Sequence, residues 1–143
     1  MISPTANDIE VLAKTAYGED RGDGLSGMIA VCWVVRNRAN IAQSTGRDQF
    51  GKGSLASACL VPKQFSCWDA TSGANVAAMS AATLSDPAYQ LAMLAALMVA
   101  TDQVPDPTQG ATGYWADDSI ATPSWAEGKS YVSIGHQRYA AGV

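Results

Sequence analysis

A short acidic and glycine-rich segment carries the residue types best suited to chemistry in this chain. It comprises residues 17–24, with the sequence YGEDRGDG, and lies between two segments with helical periodicity. Glu19 would therefore lie near the C-terminal end of the first helix, where the helix dipole disfavours another negative charge. Partial burial acts in the same direction, because it disfavours the charged form of a carboxyl group. A glutamate that holds its proton at neutral pH can serve as the general acid in glycoside cleavage, so Glu19 is the first catalytic candidate.

A second candidate segment comprises residues 64–68, with the sequence QFSCW, in a predicted loop. Loops held on a rigid scaffold often carry binding residues. Gln64 and Ser66 could form hydrogen bonds with sugar hydroxyl and acetamido groups, and Phe65 and Trp68 could form an aromatic groove wall. Alternatively, the two aromatic rings seal the core beneath the loop. The same two interpretations apply to Tyr114, Trp115 and Trp125.

Two other motif-like patterns are incomplete. Residues 46–53 (GRDQFGKG) nearly match a phosphate-binding loop, but Gly53 replaces the metal-ligating Ser or Thr and no apolar strand precedes them. Asp20 and Asp23 suggest a calcium loop, but the spacing is wrong and the terminal glutamate is absent. His136 is the only histidine, and no CxxC or HExxH spacing exists. We therefore expect no metal and no other cofactor.

Three sequence blocks together cover nearly the whole chain. The first is YGEDRGD at residues 17–23 with the following apolar helix and Asn37-Arg38, and the second is QFS with Trp68. The third comprises GAT at 110–112 with Tyr114, PSWA at 123–126, and IGHQRY at 134–139. In this order they resemble the cell-wall hydrolase family typified by spore cortex-lytic enzymes of the SleB type, which has many phage and bacterial relatives. Two positions depart from the family pattern: Asp23 replaces the usual glutamate, and Gly113 stands where relatives often carry histidine.

The resemblance implies a lysozyme-like fold and cleavage of the β-1,4 bond between N-acetylmuramic acid and N-acetylglucosamine in peptidoglycan. The family's catalytic glutamate corresponds to Glu19, in agreement with the electrostatic argument. A cation near Glu19 would favour its charged form, so we expect Arg21 to point away or to pair with an acid. The predicted substrate-binding residues are Tyr17, Gln64, Phe65, Ser66, Trp68 and Tyr114. The candidate supporting residues are Arg21, Asn37 and His136.

Two mechanisms are compatible with these residues. A hydrolase that uses two carboxylates needs a second acid at roughly 5 to 9 Å from the first. Asp20 should point elsewhere, which leaves Asp23, Asp48 and Asp69 as candidates. A lytic transglycosylase uses the muramic acid's own 6-hydroxyl as nucleophile, so one carboxyl serves as acid and then as base. Relatives are associated with the second chemistry, and we favour it.

Two of the supporting residues have alternative roles. His136 is either catalytic or, as we favour, a structural residue whose imidazole bridges hydrogen-bonding groups. Asn37 either lines the cleft or caps the end of its helix.

The elements that must position these residues follow from periodicity and caps. We expect one domain over residues 1–143, α+β but mainly α, with a helical lobe and a small strand-and-loop lobe near the C-terminus. A first helix should begin at Thr5 or Asn7 and end at Gly18 or Gly22. A long helix should begin at Ser85-Asp86-Pro87 and end before Pro105. The remaining predictions are a core helix over 26–37, a short helix over 54–60, loops over 43–53 and 69–76, and a strand-forming run over 131–134.

Composition restricts the partners and the location of the protein. A chain of 143 residues with a net charge of −4 lacks the basic surface that nucleic-acid binding requires. Residues 91–101 are apolar but too short to span a bilayer, so we expect no membrane insertion. The N-terminal residues show no signal-peptide pattern. We expect a monomer that acts on peptidoglycan glycan strands. It would stay in the host cytoplasm until a holin-type agent releases it, as a phage or prophage endolysin, or be carried on a phage particle.

The cysteines support one of two alternative functions. Cys32 should be a core residue, whereas Cys59 and Cys67 could pair, although we favour the reduced state. A Cys/His-dependent hydrolase of the stem peptide would need one of these thiols and His136. The other alternative is a non-catalytic module that binds peptidoglycan.

Overall fold

The computed structural model describes residues 2–69, 74–118 and 122–143. The helices are α1 (Ala6–Asp20), α2 (Gly24–Thr45), α3 (Leu55–Cys59), α4 (Ala74–Ala81) and α5 (Pro87–Ala100). The strands are β1 (Gly113–Ala116), β2 (Val132–Ile134) and β3 (Gln137–Ala140). Helices α1, α2 and α5 pack against one another and enclose most of the core. The predicted α+β class, mainly helical with a small strand lobe near the C-terminus, is confirmed.

Helix α1 begins with a capping box, as the sequence predicted for Thr5. Thr5 Oγ1 accepts a hydrogen bond from the Asp8 amide at 3.1 Å, and Asp8 Oδ2 accepts one from the Thr5 amide at 2.9 Å. The predicted end at Gly18 is wrong, because the helix continues to Asp20. Gly18 instead permits a close approach, since a Cβ atom there would lie only 2.6 Å from Cβ of Cys67. The turn that carries Cys67 can therefore pack directly against the last turn of α1.

Helix α2 is longer than the predicted span of residues 26–37. It begins at Gly24 and runs to Thr45, so the predicted loop over 43–53 starts only after Thr45. Gly46 ends the helix with a left-handed φ of 69°, and its amide donates to the carbonyl of Ala42 at 2.9 Å. Asn40, Gln43, Ser44 and Thr45 are therefore exposed residues of a continuing helix, whereas Arg38 is buried. The prediction that this is the core helix is confirmed by its many fully buried residues.

Helices α3 and α5 agree with the predictions from the sequence, whereas α4 does not. Helix α5 begins as predicted, because Asp86 Oδ1 accepts a hydrogen bond from the Ala88 amide at 2.9 Å and Pro87 lies in the first turn. Helix α3 lies within the predicted span. Helix α4 contradicts the loop predicted over residues 69–76, of which residues 70–73 lie outside the described part. Its sequence ANVAAMSA is rich in alanine, the residue with the highest helix propensity, but lacks an apolar stripe.

The three strands form an antiparallel sheet in the order β1-β3-β2. Tyr139 in the central strand pairs with Tyr114 on one side and with Val132 on the other. Tyr139 is fully buried and belongs to the main core cluster, so it anchors the sheet to the helices. The Tyr114 ring packs against it with ring centroids 5.3 Å apart. The sheet therefore holds Tyr114 in a fixed place beside the helical lobe.

Cys32, Cys59 and Cys67 are buried and unpaired in the structure, and the favoured reduced state stays a prediction. Within the described residues, no helix combines the length and the apolar character needed to cross a membrane.

Candidate active site

Glu19 lies in a cleft of about 540 Å³ that is lined by both the helical part and the strand part of the protein. The helical part and its loops contribute Glu19, Arg38, Gln49, Phe50, Lys63, Gln64 and Ser66. The strand part contributes Gly113, Tyr114, Trp125 and Val143. Glu19 is the one Asp or Glu side chain among these lining residues. The cleft therefore offers a single acid among amide, hydroxyl, cationic and aromatic groups.

Three hydrogen-bond donors fix the Glu19 carboxylate. Tyr114 OH donates to Oε1 at 2.5 Å, and the Cys67 amide donates to Oε2 at 3.0 Å. Ser66 Oγ donates to the same Oε2 at 3.3 Å. The donors come from β1 and from the turn that packs against Gly18. The helical and strand parts therefore meet at this carboxylate and hold it in one orientation.

The Tyr114 hydroxyl stays protonated and can therefore always donate its hydrogen bond to Glu19. Burial raises the pKa of its hydroxyl well above the ordinary value, and the charge on Glu19 raises it further. The phenol therefore keeps its proton throughout the physiological pH range. That Glu19 itself holds a proton at neutral pH stays a prediction.

Arg38 is a cleft residue that the sequence analysis did not assign to the site. Its Nε donates to the carbonyl of Thr112 at 2.6 Å, and its Nη1 donates to Gln64 Oε1 at 3.1 Å. Its guanidinium carbon lies over the rings of Phe65 and Phe50, at 4.8 and 5.3 Å from their centroids. Burial lowers the pKa of Arg38, but the ordinary pKa of a guanidinium group is so high that Arg38 stays cationic. Arg38 consequently fixes the Gln64 amide oxygen and leaves its NH₂ group as the donor for a ligand.

Tyr17, predicted to bind substrate, is buried away from the cleft. Its side chain is 7% exposed, its hydroxyl donates to Asp86 Oδ2 at 2.6 Å, and its ring meets that of Tyr89 edge-on. Residues two positions apart on an α-helix point roughly 200° apart, so a helix that turns Glu19 into the cleft turns Tyr17 into the core. Arg21 lies over the Tyr17 ring at 4.7 Å and donates to the Tyr17 carbonyl at 3.0 Å. Arg21 is thus outside the set of residues that line the cleft.

The loop over residues 64–68 divides between the cleft and the core. Gln64 and Ser66 are exposed and line the cleft. Phe65 is only 1% exposed and lies beneath Arg38, while Trp68 is half-buried and its Nε1 donates to Thr15 Oγ1 at 2.9 Å. The predicted groove wall of Phe65 and Trp68 is therefore wrong, and the core-sealing interpretation holds for both.

Asn37 has neither of the two predicted roles. It lies in the interior of α2, and its Nδ2 donates to Asp106 Oδ2 at 3.0 Å and to the carbonyl of Ala111 at 2.9 Å. Asn37 therefore holds the loop that leads into β1, because its amide group faces that loop. It is outside the set of residues that line the cleft.

A pair of aspartates forms a second ionisable cluster next to Glu19. Asp20 is only 6% exposed; its burial, then its hydrogen bond to Asp23, raises the Asp20 pKa to about 8. Asp23 accepts hydrogen bonds from the His136 amide at 3.0 Å and from its Nδ1 at 2.5 Å. These contacts, together with the one from Asp20, lower the pKa of Asp23 despite its burial and raise that of His136. His136 thus bridges the β2–β3 turn to the α1–α2 turn, the structural arrangement that the sequence analysis favoured.

The buried thiols argue against the Cys/His alternative. Burial raises the pKa of Cys32, Cys59 and Cys67 above the ordinary value, and a nucleophilic cysteine needs the opposite shift. His136 is bound to Asp23, and its side chain is 84% exposed. Within the described ranges, no group of three or more His, Cys, Asp or Glu side chains is arranged to hold a metal ion.

Comparison with known protein families shows to which family the chain belongs. The family model described as Cell Wall Hydrolase matches residues 22–140. The chain therefore belongs to the cell wall hydrolase family, as its sequence blocks predicted. Membership identifies the protein as an enzyme that degrades the cell wall. The match begins at residue 22, so Glu19 lies just before it. A search of curated proteins found no match to the chain.

Two solved structures share the fold. The catalytic domain of the germination-specific lytic transglycosylase SleB from Bacillus anthracis is 24% identical, over 95% of each chain, with a TM-score of 0.62. The catalytic domain of the Bacillus cereus SleB protein is also 24% identical, over 96% of this chain and 92% of that chain, with a TM-score of 0.66. These similarities confirm the predicted lysozyme-like, SleB-type fold.

Proposed function

We propose that the protein is a lytic transglycosylase that cleaves the β-1,4 bond between N-acetylmuramic acid and N-acetylglucosamine in peptidoglycan. One observation carries the proposal: Glu19 is the one acidic side chain among the described residues that line the cleft. A reaction that needs one carboxyl group is therefore better supported than one that needs two. The solved structure from Bacillus anthracis, which has the same fold, is described as a lytic transglycosylase.

In this reaction Glu19 acts twice. The protonated carboxyl first donates its proton to the glycosidic oxygen, and the bond between that oxygen and the anomeric carbon of muramic acid breaks. The resulting carboxylate then removes the proton from the 6-hydroxyl of the same muramic acid. The 6-oxygen attacks the anomeric carbon and closes a 1,6-anhydro ring, so no water is consumed and Glu19 regains its proton.

The other aspartates are poorly placed for the second carboxylate of a hydrolase. Asp20 is buried and Asp23 is bound to His136 and Asp20. Asp48 is 76% exposed, pairs with Lys52 and does not line the cleft. Asp69 is also outside the lining of the cleft. Asp20 and Asp23 border a second depression that Glu19 also lines, but none of the four lines the cleft itself. A two-carboxylate mechanism needs an acid across the scissile bond from Glu19, and the cleft offers none.

Tyr114, Ser66 and Gln64 would orient Glu19 and the sugar. The Tyr114 hydroxyl and the Cys67 amide hold the carboxylate by bonds to opposite oxygens, which preorganises it for proton transfer. The exposed Gln64 amide, fixed through Arg38, supplies a donor for an acetamido or hydroxyl oxygen. A positioned general acid typically accelerates a reaction by about 10² to 10⁴-fold.

The proposal is tested with purified sacculi and two variants of the same helix. Glu19→Gln keeps the size of the side chain but cannot transfer the proton, and it should lower the rate of glycan release by about 10² to 10⁴-fold. Glu10→Gln is the matched control, because Glu10 is exposed on α1 and pairs with Lys14. Equal release by the Glu19→Gln variant and the native protein would reject the proposal. A native protein that binds sacculi but releases nothing would indicate the non-catalytic alternative.

The biological setting rests on the sequence alone. The phage or prophage endolysin role, the release by a holin, the location before release and the monomeric state stay predictions. Host lysis after co-expression with a holin is the direct test of the endolysin role.

A further inference from the structure

Trp125, for which the sequence left a groove-wall role and a core-sealing role open, is an exposed aromatic residue in the cleft. It lies in a short 3₁₀ turn, Ser124–Ala126, outside the sheet. Its side chain is 49% exposed, although it lines the same cleft as Glu19. The other residues of the cleft are mostly polar or charged. Trp125 therefore gives the strand side of a polar cleft a large apolar surface.

The Trp125 ring is held in place by a second tryptophan. The rings of Trp125 and Trp115 meet edge-on, with centroids 5.7 Å apart and an interplanar angle of 86°. Trp115 is only 6% exposed and also meets Tyr131 edge-on at 5.7 Å. Edge-to-face pairs of this kind are favourable and restrict the orientation of the rings. The exposed part of Trp125 is thus presented on a rigid support and needs little ordering when a ligand binds.

Gly113 leaves room for the Trp125 ring and for the Val143 side chain. A Cβ atom at position 113 would lie 3.3 Å from Cζ3 of Trp125 and would clash with the side chain of Val143. Any side chain at this position would therefore push on the indole ring or on its neighbour. This gives a physical reason for glycine where the sequence departs from the family pattern.

We propose that Trp125 forms a sugar-stacking subsite on the strand side of the cleft, which binds a pyranose ring of a β-1,4-linked N-acetylhexosamine strand next to the cleaved bond. The inference rests on the proposed function, because it takes the cleft to be a glycan groove. The axial C–H groups of a β-linked pyranose form an apolar face that fits the negative face of an indole ring. The polar lining of the cleft supplies partners for the hydroxyl and acetamido groups, which is the usual composition of a small-molecule site.

Binding measured without catalysis tests the subsite separately from the proposed function. All variants are made in the Glu19→Gln protein, and the probe is tetra-N-acetylchitotetraose, titrated by calorimetry. Trp125→Leu keeps an apolar side chain but removes the flat aromatic face, and it should weaken binding about 5- to 30-fold. Trp125→Phe retains an aromatic face and should stay within about threefold. Trp33→Phe, on α2 outside the cleft, is the matched control and should bind normally.

Each outcome distinguishes the subsite from the catalytic proposal. Equal binding by the Leu and Phe variants, with any loss confined to thermal stability, would show that Trp125 only packs against Trp115. In the catalytically competent protein, Trp125→Leu should raise KM on soluble glycan fragments by a similar factor and leave kcat within about threefold. Loss of binding in Trp125→Leu while the native protein cleaves no glycan would reject the catalytic proposal and support the subsite. Normal cleavage with unchanged KM in Trp125→Leu would reject the subsite alone.

Discussion

The buried Asp20 should make the protein less stable as pH rises, and Asp20→Asn should remove that dependence. Burial and the hydrogen bond to Asp23 raise the Asp20 pKa to about 8, whereas an aspartate in the unfolded chain has a pKa of about 3.9. The folded state therefore binds the proton more tightly than the unfolded state. The stability contribution of Asp20 is fully present below about pH 4 and is lost as pH rises towards 8.

The linkage relation gives the size of this effect. From pH 5 to pH 9, Asp20 alone should lower the free energy of unfolding by up to about 4 kcal/mol, most of it below pH 7. Asparagine cannot ionise, but its amide can still donate to Asp23, and its oxygen can accept from the Tyr139 hydroxyl, which lies 3.4 Å from Asp20 Oδ2. The free energy of unfolding of Asp20→Asn, relative to the native protein, should therefore increase by about this amount over the same range.

Urea unfolding followed by circular dichroism at pH 5, 6, 7, 8 and 9 measures the difference directly. Asp48→Asn is the matched control, because Asp48 is exposed and its loss should change stability by less than about 0.5 kcal/mol at every pH. Stability curves for Asp20→Asn and the native protein that run parallel from pH 5 to pH 9 would refute the reasoning. They would mean that Asp20 is already ionised in the folded protein.

Three further predictions concern the contacts that hold the cleft. Tyr114→Phe removes the donor to Glu19 Oε1 and should lower activity on sacculi about 10- to 100-fold, the range for a hydrogen bond to a charged group, as measured by glycan release. Arg38→Met leaves the Thr112 carbonyl and the Gln64 oxygen without their donor and should lower the urea-derived free energy of unfolding by about 2 to 4 kcal/mol. Gly18→Ala places a Cβ atom against Cys67, displaces the Cys67 amide from Glu19 and should lower activity at least about 10-fold.

Each of these three variants has its own control or its own contradicting result. Gly22→Ala is the control for Gly18→Ala, because a Cβ atom there meets nothing within 4 Å, and equal activity of the two variants would contradict the close-approach argument. Tyr131→Phe is the control for Tyr114→Phe, since Tyr131 is outside the cleft lining. Stability of Arg38→Met within about 0.5 kcal/mol of the native value would contradict the structural role of Arg38.

The sequence predicted the part of the site that depends on local chemistry. Glu19, Gln64, Ser66 and Tyr114 were named from residue type and family spacing, and the structure brings them together. Tyr17 and Phe65 were wrongly assigned to the substrate-binding surface, because the sequence alone does not show which side of the backbone faces the core. Tyr17 and Phe65 face the core from α1 and from the loop. Their neighbours Glu19, Gln64 and Ser66 point to the other side and line the cleft.

The errors in the fold have a common physical origin. The sequence predicts that the core helix ends at residue 37, but α2 continues past Arg38, which becomes a buried residue that reaches the cleft. The extension of α2 is polar and α4 is rich in alanine, and neither segment shows the apolar stripe that reveals a helix in sequence. The role of Trp125 depends on Trp115 and Gly113, which only the folded sheet brings beside it.

Mass spectrometry of the muropeptides released from purified sacculi tests the central claim most directly. The native protein should release products that end in 1,6-anhydro-muramic acid, and the Glu10→Gln control should do the same. The Glu19→Gln variant should release them about 10² to 10⁴-fold more slowly. Reducing muramic acid ends would show that water is the nucleophile, which contradicts the single-carboxylate mechanism. Anhydro products from the Glu19→Gln variant at the native level would contradict the assignment of Glu19.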